Sequence, residues 1–139
     1  MPLTITDAAL DWALEHARTY RDTDIFPEVF EFEAIAGSWN EIKAAIQATD
    51  VLVWKVRPFR RSLVPKHRFG FRISTQLDPL NFLVFTALIR DVGEKLEAQR
   101  IPIADNIVYS YRFSPEPDGR NVLRSTYLSH LSTSIPRCV

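Results

Sequence analysis

The segment DPLNFLVFTALIRDVGEKLEAQR, residues 78–100, constrains the fold more than any other stretch of the chain. Asp78 is a favourable helix N-cap, and Pro79 behind it takes the first helical position, where a backbone N–H has no intrahelical partner to lose. Leu80, Leu83, Val84, Ala87, Leu88, Val92 and Leu96 then recur at helical spacing, a stripe broad enough to form the spine of a core. Gly93 interrupts that stripe at roughly 1 kcal/mol against Ala, which points to close approach by another segment. Pro102 ends the helix. With 139 residues, the chain reads as one domain or part of one, long enough to bury a core around this helix.

Ahead of it, Thr4 or Thr6 can cap a first helix over residues 5–21, with Ala9, Trp12, Ala13, His16 and Tyr20 on one face. His16 there reads as a packed imidazole rather than a metal ligand, since no second ligand stands at suitable spacing. After Pro27, residues 27–37 place Val29, Phe30, Ile35 and Ala36 inward and Glu28, Glu31 and Glu33 outward. Gly37 stops this segment, and Ser38 with Glu41 forms a capping box for a helix over residues 38–50. Val51, Leu52, Val53 and Val56 predict a strand that Pro58 ends. A loop over residues 59–65 leads to a second strand, residues 66–75, where Phe69, Phe71 and Ile73 alternate with Arg68, Gly70 and Arg72. That alternation sets Lys66, Arg68 and Arg72 in a row on one face, about the size to meet consecutive phosphates. Beyond the long helix, NIVYSYRF alternates as a strand, and SPEPDGR turns back with Asp118-Gly119 as its turn dipeptide. Residues 121–139 are patternless, as a slipped reading frame after Gly119 would leave them. The expected architecture is α+β: a helical N-terminal half (1–50), a small antiparallel basic hairpin, a long core helix and a further strand.

Charge is strongly polarised although the total is zero. Residues 1–54 hold ten acids and three bases, whereas residues 55–72 hold seven bases and no acid: Lys55, Arg57, Arg60, Arg61, Lys66, Arg68 and Arg72. Trp54, Phe59, Phe69 and Phe71 interleave with them. Cations at that density repel one another unless an anion lies against them, and rings between cations offer faces on which bases stack. Two readings stay open: a surface that contacts a polyanion, or a solvated face neutralised by the acidic front of the same chain.

Several functions lack their signatures. There is no glycine-rich phosphate loop, no metal-spaced His and Cys set and no nucleophile elbow. The single cysteine, Cys138, leaves no internal disulfide, and the start has no basic, then apolar, leader. No run approaches a membrane span. The expectation is a cytoplasmic protein with no membrane partner.

The stretch VPKHRFGFRISTQLDPLNFLVFTALIRDVGEKLEAQRIPIADNIVYSYRF resembles the front part of a prokaryotic reverse transcriptase, of the kind related to group II intron and phage-defence enzymes. The resemblance rests on Pro65-Lys66, then Arg72, then Asp78 leading a helix through Ala87-Leu88 and Glu97, then Ser110-Tyr111-Arg112. It covers roughly residues 50–120. It implies the fingers region of a right-handed polymerase, in which basic residues hold the template and the incoming nucleotide's triphosphate. Lys66 and Arg72 are then candidates for triphosphate or template contacts, and Arg112 for holding template or shaping the nucleotide pocket, with an ion pair to a carboxylate of the acidic front half as its plainer reading. Arg60, Arg61 and Arg68 join them as nucleic-acid contacts.

The chain departs from that family where the chemistry would lie. Reverse transcriptases use two metal ions on palm aspartates, and no Asp or Glu occurs between Arg120 and Val139. The resemblance therefore implies a truncated, nucleic-acid-binding fingers fragment without catalytic residues or cofactor of its own, Mg being what the full-length enzyme would use. Its partners would be RNA or other single-stranded nucleic acid and a nucleotide triphosphate, and its partly uncovered core would favour oligomers. A free-standing RNA-binding or regulatory protein is the alternative.

Overall fold

The computed structural model describes residues 2–20, 30–66, 69–105 and 111–124. Within them the protein is α+β, with four α-helices and two separate two-stranded antiparallel sheets. Helix α1 (Asp7–Tyr20) packs along α4 (Pro79–Ala98), and the short α2 (Glu31–Gly37) and α3 (Trp39–Gln47) close the other side of the core. Leu10, Leu83 and Val84 are wholly enclosed, joined by Ile5, Ala13, Phe32, Ile35, Ile46 and Ala87. Burying a side chain of this size contributes about 1.5–3 kcal/mol. One core thus draws on both the acidic N-terminal part and the long helix. No helix among the described residues is long and apolar enough to cross a membrane.

Caps fix where the two principal helices begin. Asp78 accepts the Leu80 N–H at 3.0 Å with Pro79 behind it, as the sequence predicts. Thr6, rather than Thr4, caps α1: its Oγ1 accepts the Ala9 N–H at 3.2 Å. Asp91 of α4 in turn accepts the Thr6 hydroxyl at 2.6 Å and the Thr6 N–H at 2.9 Å, which docks the start of α1 on the middle of α4. The capping box at Ser38 is not formed, because Ser38 has φ −119° and ψ 29° and its side chain makes no cap bond. The acids of α1 are met by α3. Trp39 Nε1 and Lys43 Nζ donate to Asp11 at 2.6 and 3.0 Å, and Lys43 also reaches Asp7 at 3.7 Å. Desolvation of Asp11 is outweighed by these bonds, leaving its carboxyl below the ordinary range.

The first sheet is a hairpin of β1 (Arg60–Pro65) and β2 (Phe71–Gln76), the second a short hairpin of β3 (Arg112–Phe113) and β4 (Leu123–Arg124). The strand expected over 51–58 is instead a 3-10 turn, Val51–Val53, followed by irregular backbone. Asp50 Oδ1 accepts the N–H groups of Leu52 and Leu3, both at 3.0 Å, which winds the turn and ties down the N-terminus. Asn81 then holds the next residues: its Oδ1 accepts from Trp54 Nε1 and its Nδ2 donates to the Arg57 carbonyl, each at 3.0 Å. Asn81 is fully buried in α4. The presumed loop at 59–65 is the real first strand, and the second begins five residues later than expected, after a turn closed by Lys66 N–H to the Gly70 carbonyl at 2.6 Å.

Other corrections follow from helix phase and from contacts distant in sequence. Phe30 is exposed and Phe32 takes the inward position on α2, while Val29 and Glu28 lie outside the described residues. Leu96 projects to solvent rather than extending the core stripe. Asn121–Arg124, read as part of a patternless tail, complete the second hairpin: Ser114 N–H donates to the Val122 carbonyl at 3.0 Å and Glu116 N–H to the Asn121 carbonyl at 2.9 Å. These residues serve as a second strand as they stand. Of NIVYSYRF, residues 106–110 lie outside the described residues.

Gly93 is where β3 crosses α4. A Cβ there would sit 2.5–2.6 Å from Cε2 and Cε1 of Phe113, whose ring lies on the helix at this point. Helix propensity alone would make Gly93→Ala stabilising by about 1 kcal/mol, but displacing a packed ring costs about 1–3 kcal/mol. The expected outcome is net destabilisation of about 1 kcal/mol in urea unfolding. Gly93→Ala/Phe113→Ala, in which the obstruction is gone, should be less destabilised than Phe113→Ala alone.

Candidate nucleic-acid interface

The hairpin β1–β2 carries most of the basic block, and its register decides which way each side chain points. Arg60 pairs with Gln76, Ser62 with Ser74 and Val64 with Arg72 on one face; Arg61 pairs with Thr75, Leu63 with Ile73 and Pro65 with Phe71 on the other. Gln76 is buried and Val64 and Ser74 are half-buried, so the first face turns toward the body of the protein. The second face is exposed along its whole length. Leu63, Phe71 and Ile73 therefore face solvent. An isolated two-stranded hairpin is marginal in water, and this one presents its apolar side outward.

Around that face stand cations and rings. The Arg61 guanidinium lies 5.0 Å from the centroid of Phe59, a cation–π contact that keeps both at the surface. Phe69, in the turn, is fully exposed and has φ 62°. A bulky side chain in the left-handed region costs about 1–2 kcal/mol, and here no packing of the ring offsets it. The strained residue thus projects a bare aromatic ring from the tip.

The two readings of the basic block separate residue by residue. Arg60 Nη2 lies 3.4 Å from Glu31 Oε1 and Arg57 Nε 4.0 Å from Asp78 Oδ1, so these two lean on carboxylates. Among the described residues, Lys55, Arg61, Lys66 and Arg72 have no carboxylate partner, and all four are exposed. Of the front-half acids, Asp7 and Asp11 are engaged with Lys43, and Glu33 with Arg18 at 3.7 Å. Among the described residues, internal neutralisation accounts for the root of the hairpin only. The expected single-strand row of Lys66, Arg68 and Arg72 is not formed, because Lys66 follows β1 and Arg72 belongs to β2; Arg68 lies outside the described residues. Lys66 and Arg72 nevertheless come to the same end of the hairpin, each next in sequence to a member of the Pro65–Phe71 pair.

Arg112 is elsewhere and otherwise occupied. It is 6% exposed, its Nη1 donates to Glu97 Oε1 at 2.7 Å and its Nη2 to the Ile101 carbonyl. Glu97 Oε2 also accepts the Phe113 N–H at 3.0 Å and Arg100 Nη1 at 3.1 Å, while Arg100 reaches the Tyr111 carbonyl at 2.8 Å. The Phe113 N–H, opposed by desolvation and helped by Arg112 and Arg100, holds the Glu97 carboxyl below its ordinary range. This pair fastens β3 to α4. Its partner is thus Glu97 of the long helix, not a carboxylate of the acidic front.

Sequence reasoning missed Asn81, whose two bonds set where the hairpin leaves the body; a polar residue within an apolar helix stripe was its only signal. It also missed that Trp54 is a tethered ring half-buried against the core rather than a free stacking surface. Among the described residues no three His, Cys, Asp or Glu side chains gather as a metal site would require. Comparison with protein-family models, with curated proteins and with solved structures finds no match for this chain.

Proposed function

We propose that this chain is a fingers portion of an RNA-directed DNA polymerase of the group II intron and phage-defence kind, and that its β1–β2 hairpin holds single-stranded RNA. The order and spacing of the Pro65-Lys66, Arg72, Asp78, Ala87-Leu88, Glu97 and Ser110-Tyr111-Arg112 elements support the family. The observation that carries the binding reading is the hairpin's outer face, with rings at Phe59, Phe69 and Phe71 among cations that no described carboxylate neutralises. Phosphates would lie against Arg61 on that face and against Lys66 and Arg72 at the tip end of the hairpin, Arg72 being exposed although its register position is on the other face. Bases would lie on the rings, each stacked base being worth about 1–3 kcal/mol. Lys66 and Arg72 are also the residues proposed to reach the triphosphate of an incoming nucleotide. Arg112 acts as a positioning residue, held by Glu97, that sets β3 on the long helix. Polymerisation itself would need palm aspartates holding Mg ions, which residues 120–139 do not contain.

A second reading, a free-standing RNA-binding or regulatory protein, draws on Asn121–Arg124. These residues complete a hairpin that docks on α1, so the packed fold extends past the resembling stretch. Sequenced DNA encoding a Tyr-x-Asp-Asp palm downstream supports the first reading, and its absence the second.

Both readings predict binding to a short single-stranded RNA that weakens steeply with salt. Lys66→Ala/Arg72→Ala should flatten the slope of log affinity against log salt by about 1 to 1.5. Phe69→Gly relieves the left-handed strain, so it should raise stability by roughly 1 kcal/mol while weakening RNA binding. Wild-type protein that fails to bind RNA at low salt, or a Phe69→Gly variant that binds as tightly as wild type, would remove the hairpin from this role.

A further inference from the structure

Behind the hairpin, on the side away from its exposed face, lies a cleft of about 590 Å³ between α2, the start of α3 and the first turn of α4. Its walls are of two kinds. Ile35, Ile42 and Leu80, all part of or packed on the core, line it with apolar surface. Arg57 and Arg60 stand at its edge, mostly exposed, each with one long contact to a carboxylate, 4.0 Å to Asp78 and 3.4 Å to Glu31. Exposed pairs this long add little to stability, so either guanidinium can be drawn to a better-placed anion. The Asp78 carboxylate is already committed to the Leu80 N–H at the head of α4.

The wall also includes Gln76, the last residue of the hairpin, which is 5% exposed and whose Nε2 has no acceptor among the described residues. Buried amide groups are normally paired, and one left without a partner is unfavourable. The Ser38 hydroxyl, free of any capping bond, lines the same space. The Gln76 amide and two loosely held guanidiniums thus stand with the Glu31 and Asp78 carboxylates around an apolar-walled cleft of the size that takes small molecules.

We infer that this cleft binds a small amphipathic oxyanion, an apolar or aromatic body carrying one carboxylate or phosphate, with the body on Ile35, Ile42 and Leu80, the anion on Arg57 and Arg60, and an acceptor on Gln76. The site does not depend on the hairpin's outer face and stands apart from the RNA reading. Because the cleft lies at the hairpin's root, an occupant would brace Arg60 and Gln76, the pair that begins β1 and ends β2.

The test is titration of the whole chain with 2-naphthoate, 2-naphthyl phosphate and the neutral 2-naphthalenemethanol, followed by amide resonances in two-dimensional NMR. The expected result is saturable shifts of the Gln76 side-chain NH2 and of the Leu77 and Leu80 amides, with a dissociation constant on the order of a millimolar or tighter for at least one of the two anions. The neutral compound and the Arg57→Gln/Arg60→Gln variant should each bind at least roughly tenfold more weakly. Gln76→Leu, which removes the unpaired amide without emptying the site, should fold as well as wild type and bind several-fold more weakly. Equal binding of the neutral compound, shifts confined to Phe69, Phe71 and Ile73, or no shift with either anion overturns the inference. Loss of RNA binding in Lys66→Ala/Arg72→Ala with naphthoate binding unchanged would show the two sites to be separate.

Discussion

Gly119→Ala is expected to destabilise the protein by about 3–5 kcal/mol, a large share of what a domain of this size possesses. Two effects coincide at this residue. Its φ is +75°, where an L side chain costs about 1–2 kcal/mol. A Cβ would also lie 2.8 Å from the His16 nitrogen and 3.0 Å from the Glu15 carbonyl carbon, and a helix backbone cannot yield as a side chain can. The loop between β3 and β4 would have to lift away from α1. Three contacts depend on that seat, because α1 presents polar groups on aromatic side chains at four-residue intervals: Trp12 Nε1 donates to the Glu116 carbonyl at 2.6 Å, His16 Nδ1 bonds to the Gly119 carbonyl at 2.5 Å, and Tyr20 OH donates to Asn121 at 2.6 Å. Urea unfolding gives the magnitude, and the Trp12 indole N–H resonance reports whether the loop has lifted. An Ala variant that unfolds within about 1 kcal/mol of wild type, with that resonance unmoved, would show that the loop is not seated on α1.

The same stripe explains why part of this fold is legible in sequence and part is not. Asp78-Pro79, Gly93 and Asp118-Gly119 were readable because a cap, a close approach and a turn each demand a particular residue type locally. His16 was correctly placed as a packed ring, stacked 5.0 Å from Trp12, but its bond to the Gly119 carbonyl joins positions 103 residues apart and has no local signature. Strand register failed for a similar reason. Val51 to Val56 have the composition of a strand, yet Asn81, 27 residues beyond Trp54, takes up the Arg57 carbonyl and the Trp54 indole, and Asp50 winds the turn before them. β4 is two residues long, too short to carry any periodicity.

For the candidate interface, density of charge was readable and its disposition was not. The basic block suggested a polyanion surface, but only pairing geometry divides Arg57 and Arg60, which lean on Asp78 and Glu31, from Arg61, Lys66 and Arg72, which do not. Alternation set the cations of this strand on the face opposite the phenylalanines, without saying which face meets the core. The register keeps Arg72 opposite Phe71 and Ile73 and shows that Phe71, Leu63 and Ile73 are on the solvent side, while Gln76 turns in. An apolar row at period two says that one face differs from the other, not which of them meets the core.

Glu97→Gln is expected to destabilise the protein by about 2–4 kcal/mol at neutral pH, since it leaves the buried Arg112 charge without its carboxylate. The deficit should depend on pH in a definite direction. The folded protein holds the Glu97 carboxyl below its ordinary range, through the Phe113 N–H first and the two arginines after desolvation is met. A depressed folded value means that the ionised pair contributes its full stability above the unfolded carboxylate value and loses it as pH falls through the folded one. Wild type and Glu97→Gln should therefore converge in stability as the pH is lowered below the ordinary glutamate range, and stay apart from there to neutrality. Arg112→Leu/Glu97→Leu should be less destabilised than the sum of its single variants, because the double change removes both charges together. Strict additivity, or a deficit unchanged into acid, would mean that Glu97 and Arg112 do not act as a pair. The consequence reaches the function proposed here: if Arg112 only fastens β3 to the long helix, the double Leu variant should bind RNA with the salt slope of wild type, whereas a flattened slope would assign Arg112 a phosphate of its own.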